Sequence, residues 1–219
     1  MKLTFFAGSV IGYVGHPEAL FTRSLAAALA KRGDDVRVAE ARQNEHYVRT
    51  LESDRAQAAR AMFESFPQVQ HHTFDMRRGP RLFEWLAREI ALLDVAVAVD
   101  GVDDELVRWL ANLNQPGLIR IFQTYRPATL DVTRADRLEL GLFNAVAAPA
   151  APANGRSWSL VRPSVARSDL DAGRLQHIDE ALMNELMAPE IAAGELLLTV
   201  ERARAEFSAT PLPQQEAPR

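Results

Sequence analysis

The chain of 219 residues lacks several things that define whole classes of protein. It contains no cysteine, which excludes disulfide bonds, thiolate metal sites and a cysteine nucleophile. It has no surplus of positive charge, because 25 Lys and Arg face 29 Asp and Glu, and nucleic-acid binders need cationic side chains to release counterions from phosphates. No run of about twenty apolar residues could span a bilayer, and no signal peptide is apparent. We therefore expect a cytoplasmic protein with no integral membrane segment and no nucleic-acid partner.

The motifs of several enzyme classes are missing too. The loop GSVIGYVG places Gly8 and Gly12 four residues apart, which matches neither the dinucleotide fingerprint G-x-G-x-x-G nor the phosphate-binding G-x-x-x-x-G-K-[ST]. No G-x-S-x-G elbow of a serine hydrolase occurs. His71 and His72 are adjacent on a predicted strand, so their side chains point to opposite faces and cannot readily share a metal ion. The sequence thus predicts no metal site and no cofactor.

The first 33 residues contain the clearest secondary-structure pattern in the sequence. They read as a buried strand, a glycine-containing loop and an amphipathic helix. The apolar strand stops at Gly8, as expected of a parallel strand that is covered on both faces. Phe21, Leu25 and Leu29 recur every four residues and form one apolar stripe, and Gly33 can adopt the left-handed conformation that ends a helix. The pattern predicts a β-loop-α unit with backbone N–H groups facing the loop.

Strands and helices then alternate along the chain, which is typical of a parallel sheet with right-handed crossovers and helices on both faces. We therefore predict an α/β fold: a doubly wound, mostly parallel, Rossmann-like sheet of five to six strands with a helical carboxy-terminal extension. The later strands are predicted around Val36 and Val38 and over residues 69–74, 94–100, 118–123 and 144–149. Helices are predicted over residues 43–66, from about residues 80 and 103, and over about residues 133–142.

The chain changes character after residue 150, where three prolines mark a connecting segment. We predict a Rossmann-like domain over residues 1–165, a helical extension over 166–208 and a disordered tail over 209–219. The extension carries two apolar stripes that cannot remain exposed, so it packs either on the sheet or on a second copy of the chain through residues 175–207. The stripes are Ile178, Leu182 and Leu186, then Leu196, Val200, Ala203 and Phe207.

Candidate site residues follow the strands, because ligands of doubly wound sheets bind beyond the carboxyl ends of the strands. Asp100 could accept a proton from a ligand hydroxyl, whereas Asp103 and Asp104 are better explained as helix caps. His16 lies beside the glycine loop and could exchange a hydrogen bond with a hydroxyl, or it could be a simple helix-entry residue. His16 and Asp100 are thus the catalytic candidates.

Other residues at the same edge are candidates for substrate binding. Arg77 and Arg78, close to Arg81, could bind a phosphate or carboxylate, or they could form a solvated basic loop. The remaining candidates come from the glycine loop and from the segment after the fifth strand: Gly12, Tyr13, Gly15, Gln123, Tyr125 and Arg126.

Four segments, in order, resemble the amino-terminal domain of GT-B glycosyltransferases. The helix end LAAALAKRGDDVRV follows a glycine-containing loop, as "LA..L...GH.V.V" does in that family. DVAVAVD resembles the strand "DVVHAHD", LIRIFQTYRP resembles "vv.t.Hd..P", and FNAVAAPA resembles "AD.vIavS". The resemblance covers roughly residues 1–165. Asp100 and Gln123 stand where the family often has histidine, and the family's carboxy-terminal domain has no counterpart here.

The resemblance implies a single-domain, glycosyltransferase-like protein. In the family the carboxy-terminal domain holds the nucleotide-sugar, so this chain would be an acceptor-binding half or one subunit of a split enzyme, with a sugar or other small molecule as ligand and a partner subunit carrying the donor-binding domain. The alternative is a noncatalytic ligand-binding or scaffold protein derived from the same fold. A flavodoxin-like use of the loop for a mononucleotide is a third reading.

Overall fold

The computed structural model describes residues 1–11, 18–54, 56–126, 130–149, 159–161 and 188–209. These residues form one sheet in which every pair of neighbouring strands is parallel. The order of the strands is β3-β2-β1-β4-β5-β6-β7. The strands are β1 (Lys2–Ala7), β2 (Asp35–Ala41), β3 (Gln70–Phe74), β4 (Val95–Val99), β5 (Ile119–Gln123), β6 (Ala145–Ala148) and β7 (Ser159–Leu160).

This strand order reverses direction between β1 and β4, as it does in a doubly wound sheet of the Rossmann type. The predicted fold class is therefore confirmed, and the six predicted strands all form. The seventh strand has only two residues and was not predicted, because it lies in the proline-containing segment that we interpreted as a connection.

Helices connect the strands on both faces of the sheet. The stretch predicted as one helix over residues 43–66 is helical on both sides of Arg55, which is not described. Asp103 caps its helix by accepting a hydrogen bond from the N–H of Glu105 at 2.8 Å, as predicted. The helices are α1 (Glu18–Lys31), α2 (Glu45–Asp54), α3 (Ala56–Ser65), α4 (Pro80–Ile90), α5 (Asp104–Ala111), α6 (Val132–Arg137) and α7 (Pro189–Ala209).

Two short turns of 3-10 helix complete the described structure, at Met76–Arg78 and Leu140–Leu142. The second explains why α6 ends earlier than the predicted residue 142. Glu139 adopts a left-handed conformation with φ of 55°, which ends the α-helical path and starts the 3-10 turn.

Two hydrophobic cores cover the two faces of the sheet. Phe5 belongs to the core under α1 and α7, whereas its neighbour Phe6 belongs to the core under α4, α5 and α6. Strand β4 is divided in the same way, since its valines face the first core and its alanines the second. Burial on both faces explains why these strands are continuous apolar runs in the sequence.

The carboxy-terminal helix α7 packs on α1 and on the carboxyl half of the sheet in the same chain. The predicted stripe is buried there at Leu196, Val200 and Ala203. An oligomer formed through α7 would therefore have to use another face of this helix, and the oligomer stays a prediction. Several predicted features lie outside the described residues. They are the side chain of Phe207, the predicted helix with Ile178, Leu182 and Leu186, residues 210–219 of the predicted tail and most of the connecting segment.

None of the described helices combines the length and the apolar character needed to cross a membrane.

Gly8 lies where three strand-end loops meet. A Cβ atom at this position would lie 2.2 Å from the carbonyl oxygen of Gly101 and 2.7 Å from the side-chain nitrogen of Asn44. The loops after β1 and β4 therefore touch through their backbones. Gly8, which follows the first strand, is therefore required for packing within the chain.

We expect Gly8→Ala to lower the free energy of unfolding by about 1–3 kcal/mol, because the new methyl group overlaps backbone atoms that have no room to move. Urea denaturation measures this change.

Gly194→Ala is the matched control. A Cβ at Gly194 has no neighbour within 4 Å, and replacing a glycine inside a helix should raise the stability by about 0.5–1 kcal/mol. Equal stability of Gly8→Ala and the unmodified protein would contradict the close approach of the loops.

Candidate functional site

The point where the strand order reverses lies between the carboxyl ends of β1 and β4, which is where doubly wound sheets bind ligands. A cleft of about 220 Å³ opens at this edge. We call it the switch-point cleft. Its walls come from the start of α1, the start of α2, the ends of β4 and β5, and α6. The lining residues are Glu18, His46, Asp100, Gly101, Tyr125, Arg126 and Arg134.

Asp100, the predicted catalytic carboxylate, lies in this cleft in a network with groups from two other elements. Its Oδ2 accepts a hydrogen bond from Thr124 Oγ1 at 2.8 Å. Arg134 donates to both carboxylate oxygens, from Nη2 to Oδ1 at 2.5 Å and from Nη1 to Oδ2 at 3.3 Å. A carboxylate offers about four acceptor positions, so Asp100 retains room for one further hydrogen bond from a ligand.

Arg126, a predicted substrate-binding residue, lines the same cleft. Its Nε forms an ion pair with Glu18, the first residue of α1, and its side chain is half exposed. The Glu18 carboxylate lies where the positive end of the helix dipole favours negative charge. Both arginines of the switch-point cleft thus have carboxylate partners within the chain.

Gln123 and Tyr125 form the buried layer next to the cleft. Gln123 is fully buried and donates from Nε2 to the Tyr125 hydroxyl at 3.0 Å, while its Oε1 has no hydrogen-bond partner among the described residues. Tyr125 packs edge-to-face on Phe21, with ring centroids 5.1 Å apart. Tyr125 borders the cleft, whereas Gln123 does not line it, so a direct contact of Gln123 with a ligand stays a prediction.

Burial raises the pKa of Tyr125 far above its ordinary value of 10.0, and the nearby Glu18 carboxylate adds to this effect. The hydroxyl therefore remains protonated under all ordinary conditions. It can take part in hydrogen bonds, but it cannot serve as a base at neutral pH.

His46, the second residue of α2, is a cleft residue that sequence reasoning missed. Its backbone N–H donates to Asn44 Oδ1 at 3.0 Å, which fixes the start of α2 beside the loop that follows β2. The side chain retains 21% of its accessible surface. The sequence around His46 predicts a strongly polar, solvent-exposed helix, so His46 was not chosen as a site residue. Its position soon after β2 was the one feature of the sequence that could have indicated a place in the cleft.

Glu40, at the end of β2, is fully buried and holds the loop that follows β1. Its Oε2 accepts hydrogen bonds from Val10 N at 2.6 Å, Ser9 Oγ at 3.0 Å and Ile11 N at 3.3 Å. Its Oε1 lies 2.6 Å from Nε2 of His71. In the described part of this loop, the N–H groups of Val10 and Ile11 are therefore occupied by a carboxylate of the chain itself.

The remaining predicted site residues do not all meet in the switch-point cleft. Arg77 lies in the 3-10 turn after β3, and strands β2 and β1 lie between β3 and β4 in the sheet. The backbone of Arg78 lies in the same turn, and its side chain is not described. Gly12, Tyr13, Gly15 and His16 fall within residues 12–17, outside the described residues, so their roles stay predictions.

Arg81 lies at a separate cleft beside the outer strand. This cleft of about 680 Å³ is formed by the ends of β2 and β3 and the start of α4, and we call it the arginine cleft. It was not predicted as a pocket, because Arg42 and Arg81 are 39 positions apart and only the parallel pairing of β2 and β3 brings them to one edge. Its lining residues are Arg42, Thr73, Phe74, Asp75, Arg81, Leu82 and Trp85.

Within the part of the chain that the structure describes, no group of three or more His, Asp or Glu side chains could hold a metal ion. The two carboxylates of the switch-point cleft, Glu18 and Asp100, form ion pairs with Arg126 and Arg134. The chemistry that this cleft offers is hydrogen bonding to a polar ligand through Asp100, His46 and the half-exposed Arg126.

We expect Glu40→Ala to lower the free energy of unfolding by about 3 kcal/mol, because it leaves the buried N–H groups of Val10 and Ile11 without an acceptor. Urea denaturation measures the loss, and amide hydrogen exchange should show weaker protection of Val10 and Ile11.

Glu84→Ala, at an exposed position of α4, is the control and should change the stability by less than about 0.5 kcal/mol. If the two variants were equally stable, the Glu40 network would not support the loop.

Tyr125 should make the stability depend on pH in alkaline solution. Below about pH 10 the tyrosine is protonated in both states, so its contribution is fully present. Above that pH the unfolded chain loses the proton and the folded chain keeps it, so the free energy of unfolding falls by about 1.4 kcal/mol per pH unit until the folded pKa is reached. We expect Tyr125→Phe to flatten this slope, as measured by urea denaturation between about pH 9 and pH 11.

Tyr47→Phe is the comparison variant. Partial burial raises the pKa of Tyr47, the Glu40 carboxylate adds to the rise, and Arg42 opposes it. Its replacement should flatten the alkaline slope less than that of Tyr125, and the reverse order would contradict the burial of the Tyr125 hydroxyl.

Comparison with known proteins identified no relative of this chain. No family model matches it, and no curated protein sequence matches it. What the chain could bind must therefore be argued from its own residues.

Proposed function

We propose that this chain is a glycosyltransferase-like domain that binds a small, hydroxyl-bearing acceptor in the switch-point cleft. The donor site is supplied by another domain or subunit. The observation that carries the proposal is the cleft itself, which lies at the reversal of strand order and presents Asp100, His46 and Arg126 to one small space.

The size and lining of the cleft support a sugar-like ligand. Its volume of about 220 Å³ lies below the range of about 300–1,000 Å³ that is typical of drug-sized ligands. It suits a ligand of about one sugar residue. Its walls carry hydrogen-bonding groups whose charges are balanced in pairs, and such walls favour a neutral polyhydroxyl molecule over a free anion.

Asp100 and His46 have distinct roles in this proposal. Asp100 accepts a hydrogen bond from a ligand hydroxyl and orients it, while Thr124 and Arg134 hold the carboxylate in place. The imidazole of His46 lines the same cleft, and in this proposal it exchanges a hydrogen bond with the ligand hydroxyl. His16 remains a second candidate for this role.

The resemblance to the amino-terminal domain of GT-B enzymes supports an acceptor role. In that family the transferred sugar is held by the carboxy-terminal domain, so the described part of this chain would not transfer a sugar by itself. We expect transfer only in the presence of the domain that holds the donor.

A noncatalytic ligand-binding or scaffold protein is the second candidate, and one specific observation favours it. The charged groups of the switch-point cleft are paired within the chain, Arg134 with Asp100 and Arg126 with Glu18. A cleft whose charges are paired in this way is stable without a ligand.

Thermal shift and calorimetry with sugars, sugar phosphates, nucleotide-sugars and nucleotides test the proposal. We expect a neutral sugar or glycoside to raise the unfolding temperature. Asp100→Asn should weaken its binding about tenfold, because the ligand loses a hydrogen bond to a charged acceptor.

Arg137→Gln is the matched control. Arg137 lies in α6 with Arg134 but pairs with the exposed Asp104 outside the cleft, so its loss should leave affinity within about twofold. If no sugar bound, or if both variants weakened binding equally, the acceptor proposal would fail and the noncatalytic reading would stand.

A further inference from the structure

The arginine cleft is separate from the switch-point cleft and shares no lining residue with it. Its volume of about 680 Å³ falls within the range of small-molecule sites. Phe74, Leu82 and Trp85 form its apolar wall, whereas Arg42 and Arg81 place two positive charges at its edge. An apolar wall with a few charged groups is the usual make-up of a ligand pocket.

Arg42 is held in place at this cleft with donors to spare. Its backbone N–H donates to the carbonyl of Phe74 at 3.0 Å, and its Nε donates to Thr73 Oγ1 at 2.7 Å. Its two terminal guanidinium nitrogens have no hydrogen-bond partner among the described residues. The side chain is thus positioned by the protein while the part that binds anions remains available.

Arg81 also lines the arginine cleft. It lies in the first turn of α4 and forms no ion pair with any residue that the structure describes. A cation at this end of a helix is opposed by the helix dipole. The first turn of α4 contains no acidic residue, and Gly79 provides no side-chain cap, whereas α5 begins with an Asp103 cap followed by Asp104 and Glu105. The positive charge at Arg81 is therefore left without internal compensation.

Asp75 is the one carboxylate that lines the arginine cleft, and it has other partners. It accepts hydrogen bonds from the side chain of Gln43 and from the backbone N–H of Arg77. Gln43 in turn accepts a bond from the N–H of Met76 at 3.2 Å. These bonds fix the rim between β2 and β3 and leave the two guanidinium groups with a net positive charge.

We propose that the arginine cleft binds a small organic phosphate. Arg42 and Arg81 bind the phosphate group, and the organic part packs against Trp85 and Leu82. The two guanidinium groups outnumber the single carboxylate of Asp75, and a phosphate has enough acceptor oxygens to take charge-assisted hydrogen bonds from both arginines at once, beside the start of a helix. The space is too large for inorganic phosphate alone and has an aromatic wall, so the organic part contributes to binding.

Calorimetry on the full chain with phenyl phosphate, inorganic phosphate and benzoate tests this proposal. We expect saturable binding of phenyl phosphate that is stronger than the binding of the other two probes. Arg42→Gln and Arg81→Gln should each weaken it about tenfold or more, because each removes a charge-assisted hydrogen bond to the ligand. Circular dichroism confirms that these exposed substitutions leave the fold intact.

Arg88→Gln is the matched control, since Arg88 is exposed on the same helix away from the cleft, and it should leave affinity within about twofold. Asp100→Asn should leave phenyl phosphate binding unchanged, which separates this site from the sugar site proposed above. The proposal is overturned if phenyl phosphate does not bind, if Arg88→Gln weakens binding as much as Arg81→Gln, or if benzoate or inorganic phosphate binds as tightly as phenyl phosphate.

Discussion

The buried carboxylate of Glu40 is the interaction on which the sheet edge depends. A charged group with no exposure is tolerated only when hydrogen bonds replace its lost water, and Glu40 obtains them from Ser9, Val10, Ile11 and His71. These bonds tie the end of β2 to the loop after β1 and to β3. The same loop leads into α1, whose first residue pairs with Arg126 at the switch-point cleft. One carboxylate thus links loop geometry, sheet packing and the candidate site.

The fold was largely predictable because the central strands β1 and β4 are buried on both faces. Residues 95–99 form an unbroken apolar run since their valines and alanines face two different cores. Such a short run, rich in valine, is typical of a parallel strand that is covered on both faces. Strand β7 was not predictable, because a two-residue strand is defined by its pairing with β6 and has no pattern of its own. The early end of α6 depends on the backbone of Glu139, where the sequence shows no glycine.

The candidate site was predictable in position and only partly in composition. Asp100 could be chosen because the carboxyl ends of parallel strands converge on one edge. Its partner Arg134 comes 34 residues later in a charge-rich helix, and only the path of the chain around β5 brings the two together. His46 and Arg42 were not predicted as cleft residues for the same reason. Local patterns identify which residues follow a strand, but the packing of the helices decides which of them share a cleft.

The two clefts differ most in how the protein balances their charges. In the switch-point cleft, Arg126 and Arg134 are paired with carboxylates of the chain, so an incoming anion would have to displace an existing partner. In the arginine cleft, Arg42 and Arg81 have no such partner among the described residues, so an anion could bind them without displacing a carboxylate of the chain. The same residue type therefore predicts opposite ligand preferences at the two sites. Charge pairing, which the sequence does not display, decides between a neutral polar ligand and an anionic one.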